Sequence, residues 1–248
     1  MRVLVVLPTF NEAGTIEEVL RRTRVARPDA RVLVVDDGSP DGTADLAEKV
    51  GEKLGAIEVL KRDKRQGLGD AYRAGFAWGL DRGAEVLVEM DSDLSHDPHA
   101  LPSLINALDD HDLVVGSRYV PGGSIPNWSL HRRLLSRAGN AYSAFMLGVP
   151  VRDMTSGFRV YRADLLRSMN IDSVRADGYG FQIEMTYRAA RVEARIAEVP
   201  ISFVDRELGQ SKMSSSIVVE ALALVTRWGV TRLVSKASGA VAHRTKPA

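Results

Sequence analysis

Glu85-Val-Leu-Val-Glu-Met-Asp91-Ser-Asp93-Leu-Ser95-His96 is a mostly apolar run that ends in two carboxylates, with a serine and a histidine close behind. Such a run reads as a strand buried on both faces, the kind found in parallel sheets. Alternate residues of an extended chain share a face, so Asp91 and Asp93 are expected to project together from its carboxyl end. Open α/β sheets place their ligands at that end. Paired oxygen ligands there suit a hard divalent cation and a phosphorylated substrate. The same Asp and Ser residues would also suit a plain surface turn.

The rest of the chain repeats the strand signal. Val3–Leu7, Val32–Val35, Ile57–Leu60 and Leu113–Val115 are apolar strands. Between them lie helical patterns. Thr15 and Glu18 have the spacing of a capping box, and Ser39-Pro40 reads as an N-cap and first helical proline, opening a helix to about Leu54. Leu68–Asp81 is expected to bury Ala71, Ala74, Gly75 and Trp78, and Pro98–Leu108 reads as one helix. The alternation predicts an α/β fold, a mostly parallel Rossmann-like sheet flanked by helices. After Ser117 the rhythm changes. Val120–Asn127 reads as a mobile loop, Ser129–Leu147 and Phe181–Arg191 as helices, Ile196–Val204 as a late strand, and Ser214–Ser235 as an apolar-rich helix. The expected division is a catalytic domain over 1–213, a helical extension over 214–235 and a flexible tail over 236–248.

Composition narrows the function. The chain has 248 residues, 45% of them hydrophobic, enough for one large domain. A formal net charge of +1 gives no global field for nucleic acid, which is not expected as a partner. The absence of cysteine excludes disulfides and thiolate metal sites and is compatible with the cytoplasm. No uninterrupted apolar run reaches spanning length; the nearest, Ile217–Val234, carries Glu220, Arg227 and Arg232.

Polar residues cluster where strands end. Pro8-Thr-Phe10-Asn-Glu12 follows the first strand and Asp36-Asp37-Gly38 the second, neighbours on the nucleotide-binding rim of a doubly wound sheet. Phe10 offers a face to a base, and Glu12 and Asp37 are acceptors for base or ribose donors. Acidic ends on one rim repel unless something cationic sits among them. Gln66-Gly67-Leu68-Gly69 opens a helix whose free N–H groups suit an anion, or it is a simple tight turn. Arg118 should reach the same rim. Arg132 and Arg133 begin a helix, where cations oppose the helix dipole. Asp153, Thr155, Ser156 and Arg159 share one loop, and Arg206 and Lys212 flank Gly209. Arginine and lysine clamp phosphates. His96, His99 and His111 lack metal-ligand spacing and read as surface residues.

Taken in order, these segments resemble the dolichol-phosphate (polyprenol monophospho-) mannose synthases, inverting family 2 glycosyltransferases of GT-A fold. The resemblance runs over roughly residues 3–213. It is most specific at Glu-Val-Pro-Ile-Ser-Phe-Val-Asp-Arg (198–206) followed by Gly-x-Ser-Lys (209–212). It implies that Pro8, Phe10, Glu12, Val35 and Asp37 hold the guanosine of GDP-mannose, and that Asp91, Ser92 and Asp93 meet the diphosphate and sugar. It implies Mg²⁺ or Mn²⁺ on Asp93, Ser95 and Asp91. Phosphates fall to Arg118, Arg206 and Lys212, and the lipid phosphate to Arg132, Ser136 and Arg159. Many relatives have Tyr in place of Phe10, and some have Gln in place of Ser95.

The implied reaction needs no strong base, because a polyprenyl phosphate is already anionic near neutral pH. Asp153 is expected to orient Arg132, or to act as a base if one is used. The lipid acceptor implies peripheral association with the cytoplasmic face of a membrane, unaided or through a separate membrane-anchoring protein. Trp128, Leu130, Arg132, Arg133 and Arg137, or the 214–235 helix, would form the contact. Two other readings use the same residues: a transferase taking UDP-glucose or UDP-N-acetylglucosamine, and a silent nucleotide-sugar-binding subunit.

Overall fold

The structure, a computed structural model, describes residues 1–205 and the helix over 215–244, with side chains in that helix described over 218–234. Its strands are β1 Val3–Thr9, β2 Arg31–Asp36, β3 Ile57–Lys61, β4 Val86–Glu89, β5 Leu113–Ser117, β6 Arg159–Arg162 and β7 Ile196–Pro200. They form one sheet in the order β3-β2-β1-β4-β6-β5-β7. The helices are α1 Ile16–Ala26, α2 Thr43–Leu54, α3 Leu68–Asp81, α4 Leu101–Asn106, α5 Leu130–Leu147, α6 Ala163–Ser168, α7 Gly178–Arg191 and α8 Ser215–Arg244.

The expected apolar strands are present, and both faces of the sheet are covered. Val5, Leu7, Val32, Val34 and Val88 pack with α1, α2 and α4 residues on one side. Leu4, Val6, Leu33, Val35 and Leu87 pack with α3, α6 and α7 residues on the other. On α3 the buried stripe is Tyr72, Gly75, Phe76 and Gly79, while Ala74 and Trp78 are only half-buried. Ala71 and Gly75 are buried as expected, and Gly75 has no room for a side chain against the sheet, where a Cβ would meet Val6 Cγ1.

β6 is absent from the sequence reading, and it reverses the sheet. It runs antiparallel to both β4 and β5, pairing Glu89 with Arg159 and Val115 with Arg159. Its amino end therefore lies at the carboxyl rim of the parallel strands. The loop before it, residues 153–158, becomes part of that rim.

Several local expectations are corrected. Thr15 makes no capping bond; its hydroxyl donates to the Ser92 carbonyl (2.8 Å) and so ties α1 to the acidic loop. α2 begins at Thr43, not Pro40, and Ser39 does not cap it: its hydroxyl donates to Asp36 Oδ2 (2.6 Å). Only Leu101–Asn106 of the fourth helix is α-helical, with 3₁₀ turns on either side. Residues 120–127 are tethered: Ser124 N donates to Ile201 O, and Phe203 N to Ser124 O (both 3.0 Å). β7 ends at Pro200, after which Phe203 makes an isolated bridge with His96.

α8 extends to Arg244, past the expected end at 235 and into the expected tail. It packs on the body of the domain, with Ala221 and Val225 buried among Leu147, Val149 and Ile183, and Trp228 stacked on Tyr187 (6.1 Å).

Candidate active site

The sheet register brings the strand ends together. Thr9 of β1 pairs with Asp36 of β2, and Val6 pairs with Glu89 of β4. A cavity of about 420 Å³ opens on this rim. Pro8, Phe10, Glu12, Asp37, Asp91, Ser92, Asp93, Arg118 and Arg132 all line it.

Phe10, Glu12 and Asp37 form one end. Asp36 is not in the cavity; it is buried, accepting from Thr9 Oγ1 (2.8 Å) and the Ser39 amide (2.8 Å), and so locks β1 to β2. Asp37 meets Arg62 Nη1 at 3.2 Å and accepts from the Gln66 amide at 3.2 Å. Burial raises the Asp37 carboxyl above its usual range, against the pull of these partners. Arg65, not singled out in the sequence, lies over the Phe10 ring at 4.8 Å. Val35 does not line the cavity; its side chain is fully buried beneath α3.

The carboxylate pair lies in the middle. β4 ends at Glu89, so Asp91–Asp93 sit in a tight bend and not on an extended strand. Three successive side chains therefore reach the cavity, where alternation predicts two. Ser92 Oγ donates to Pro8 O (2.8 Å), pinning the bend to β1. Ser95 stands behind the pair. It is buried outside the cavity, and its hydroxyl (2.5 Å) and amide (3.0 Å) both donate to Asp93 Oδ1. It thus orients Asp93 and does not face a ligand.

His96 is buried, not superficial. Phe158 stacks on it at 5.1 Å and Phe203 meets it edge-on at 5.4 Å. Its Nδ1 accepts from the Asp91 amide (3.1 Å), which places the ring proton on Nε2. Burial lowers its pKa and keeps the ring neutral, opposing nearby Asp91 and Asp93. Nothing in the spacing of His96 signals this, because its aromatic partners are distant in sequence.

Arg118 and Arg132 mark the other end. Arg118 is 6% exposed and makes a two-pronged pair with Asp153: Nε donates to Oδ2 (2.7 Å) and Nη2 to Oδ1 (2.6 Å). Its backbone amide also donates to Asp153 Oδ2 (2.9 Å), and Nη2 to Thr155 Oγ1 (2.8 Å). Tyr119, Trp128 and Phe203 surround the guanidinium at 5.4–5.6 Å from ring centres. Burial works against the charge, but Asp153 more than offsets it and holds the arginine above its ordinary pKa. Asp153 therefore orients Arg118, not Arg132. It is wholly buried with both oxygens engaged, which also removes it as a base.

Arg132 instead pairs with Asp205, Nη1 lying 2.9 Å from each oxygen, and stacks on Trp128 at 3.8 Å. Ser136 lies outside the cavity and accepts from the Tyr119 hydroxyl (2.7 Å). Arg159 is fully buried, donating to the Ser156, Gln182 and Met154 carbonyls and to Thr186 Oγ1. It holds the 153–158 loop on β6 and cannot reach an acceptor. Arg206 and Lys212 lie outside the described residues. The start of α3 is closed to an anion, because Asp177 Oδ1 accepts from the Gly69 amide (2.8 Å).

A cavity acidic and aromatic at one end and cationic at the other suits a donor with two unlike halves. A nucleoside diphosphate carrying a transferable sugar is such a donor, and the class of enzyme is the glycosyltransferases. Glycosyl transferase family 2 matches residues 4–169, and the chain belongs to that family. It is 53% identical over 230 residues to the undecaprenyl-phosphate mannosyltransferase of Micrococcus luteus, covering 93% of this chain and 95% of that one. It is 46% identical over 242 residues to the polyprenol monophosphomannose synthase of Mycolicibacterium smegmatis, covering 97% and 91%. In fold it is similar to glucosyl-3-phosphoglycerate synthase of Mycobacterium tuberculosis, solved with Mn²⁺, UDP-glucose and phosphoglyceric acid. There the TM-score is 0.69 at 23% identity, over 92% of this chain and 79% of that one.

Proposed function

We propose that the chain transfers mannose from GDP-mannose to a polyprenyl monophosphate with inversion, giving β-linked polyprenyl-phosphate mannose and GDP. The observation that carries this reading is the placement of Asp91 and Asp93 between an acidic, aromatic end and an arginine end within one cavity. The names of the two mannosyltransferase relatives support the sugar and the acceptor class. The guanine donor rests on the sequence resemblance, together with the acceptor-only Glu12 and Asp37 beside Phe10.

In this reading an oxygen of the lipid phosphate attacks the anomeric carbon as its bond to the β-phosphate oxygen breaks. The electron pair leaves on GDP, and no proton has to move. The chain contributes position and charge. Arg118, neutralised by Asp153, is a rigid donor more than a free charge. The Arg132–Asp205 pair is half-exposed and worth about 0–1 kcal/mol, so a lipid phosphate can take the place of Asp205. The donor set fits a hard divalent ion: Asp91 and Asp93 offer oxygen only, and no group of three metal-binding side chains is present among the described residues. Asp91 and Asp93 would hold Mg²⁺ or Mn²⁺, which would supply positive charge to the departing diphosphate.

No helix among the described residues is long and apolar enough to cross a membrane. The outer faces of α5 and α8 expose Leu130, Leu134, Leu135, Phe145, Val219 and Leu233, with Arg133 and Arg137 on the same stretch of α5. This composition suits peripheral binding to an anionic cytoplasmic leaflet. The test is transfer of label from GDP-mannose to a short polyprenyl phosphate in detergent, with and without EDTA, and with Asp93→Ala. Metal-dependent label in the lipid, lost in the variant, is expected. No transfer and no melting shift with GDP-mannose would sink the donor assignment.

A further inference from the structure

Gln182 is the least explained polar side chain near the cavity. It lies on the first turns of α7 and is 2% exposed, yet neither its amide nitrogen nor its oxygen makes a hydrogen bond. Buried polar groups are nearly always paired, so an unpaired amide at a cavity wall points to a ligand. The backbone of the residue is fixed: Arg159 Nη1 (2.8 Å) and Thr186 Oγ1 (3.0 Å) both donate to its carbonyl.

The space before this amide is made by a missing side chain. A Cβ built on Gly157 would stand 3.6 Å from Asp91 Oδ1, 3.6 Å from Gln182 Nε2 and 3.7 Å from His96 Cε1. Three polar side chains thus converge on one hollow, and all three line the cavity. His96 turns its Cε1 edge toward it, the ring held in place by the hydrogen bond from the Asp91 amide to Nδ1. Glu89 lies beneath, close enough for the Gln182 amide to favour its ionisation, but not in bonding geometry.

We propose that Gln182, with His96 beside it, reads hydroxyl groups of the donor sugar and sets donor specificity. The inference rests on a sugar diphosphate at Asp91 and Asp93, since a sugar attached there falls within reach of the hollow. A primary amide supplies N–H donors and a carbonyl acceptor, which matches a hydroxyl pair. A site built to bond a hydroxyl discriminates against the analogue that lacks it, because its own buried groups are then left unpaired.

The test compares wild type with Gln182→Ala on GDP, GDP-mannose and a series of GDP-deoxymannoses, reading Kd for GDP and kcat/KM for the sugars. In wild type, removing the hydroxyl read by Gln182 is expected to cost roughly tenfold in kcat/KM. The variant should lose about the same on the parent sugar, show no further loss on that analogue, and bind GDP as before. Equal deoxy penalties in both proteins would overturn the proposal and leave Gln182 as a support for Glu89. Gly157→Ala, which fills the same hollow at a position without positive φ, guards against a variant that fails to fold. It should weaken GDP-mannose and spare GDP, and equal weakening of both would also overturn the proposal. If wild type takes no GDP-mannose, the mannose reading fails alone. The same cycle then runs on whichever nucleotide sugar wild type accepts, with the same deciding outcomes.

Discussion

Asp153→Asn removes one charge from a pair almost wholly sealed from solvent. Asp153 is 0% exposed and accepts from the side chain and amide of Arg118, itself 6% exposed. The variant keeps one carbonyl acceptor but turns an amide N–H toward a guanidinium that has only donors. Breaking a buried pair from one side costs about 3–5 kcal/mol, and the retained acceptor argues for the lower figure, about 3 kcal/mol. At about 2–4 °C per kcal/mol for a chain of this size, the melting midpoint should fall roughly 6–12 °C. Transfer should fall with it even at temperatures where the variant is folded, because Arg118 loses its fixed direction. Adding Arg118→Met should recover most of the stability, since no charge is then buried alone, and none of the activity. The assays are thermal unfolding by circular dichroism and labelled-mannose transfer at a temperature well below both midpoints. A midpoint within about a degree of wild type for Asp153→Asn, or a double variant no more stable than the single, would refute the account.

Two further outcomes follow from the geometry. Gly67→Ala places a Cβ 2.3 Å from Asp177 Oδ2 at a residue with φ +105°, so it should cost at least about 1–3 kcal/mol in urea unfolding; adding Asp177→Ala should recover part of that. Burial raises the Glu89 pKa from 4.5 to about 7, with Arg159 opposing it. The folded chain therefore holds a proton that the unfolded chain has released, so stability is full below pH 4.5 and is lost as pH rises through 7. The loss reaches up to about 3 kcal/mol. Glu89→Gln should flatten this profile in EDTA, becoming the more stable protein at pH 8 while matching wild type near pH 5.

Much of the fold was legible because its strands are continuous apolar runs. Val3–Leu7, Val32–Val35 and Val86–Met90 announce a parallel sheet without help from anything distant. The acidic strand ends were legible for the same reason: once the strands are parallel, their carboxyl ends share a rim, and Glu12, Asp37, Asp91 and Asp93 do line one cavity. Strand alternation does not account for the Asp91–Asp93 pair, however. They share a side because a bend pinned by Ser92 and Thr15 presents them, not because a strand alternates.

The largest illegible part has one physical source. Arg159–Arg162 reads Arg-Val-Tyr-Arg, which carries too much charge to look like a central strand. It can be central because Arg159 spends its donors on buried carbonyls and on Thr186, while Arg162 donates to the His111 carbonyl (2.9 Å). Once that strand is missed, its reversed direction is missed too, and with it the fact that Asp153, Thr155 and Gly157 arrive at the rim from the opposite sense. The errors over Asp153 and Arg159 come from that one omission. With β6 in place, Asp153 meets Arg118 instead of Arg132, and Arg159 is committed to buried carbonyls instead of the lipid phosphate that the resemblance implies for it. Gln182 lies on a helix that the sequence predicts over 181–191 without marking any of its polar side chains. Only the carbonyl contacts of Arg159 show that its backbone is anchored while its amide is left for something else. A polar residue in a helix carries no mark of being unpaired until the strand beside it is known.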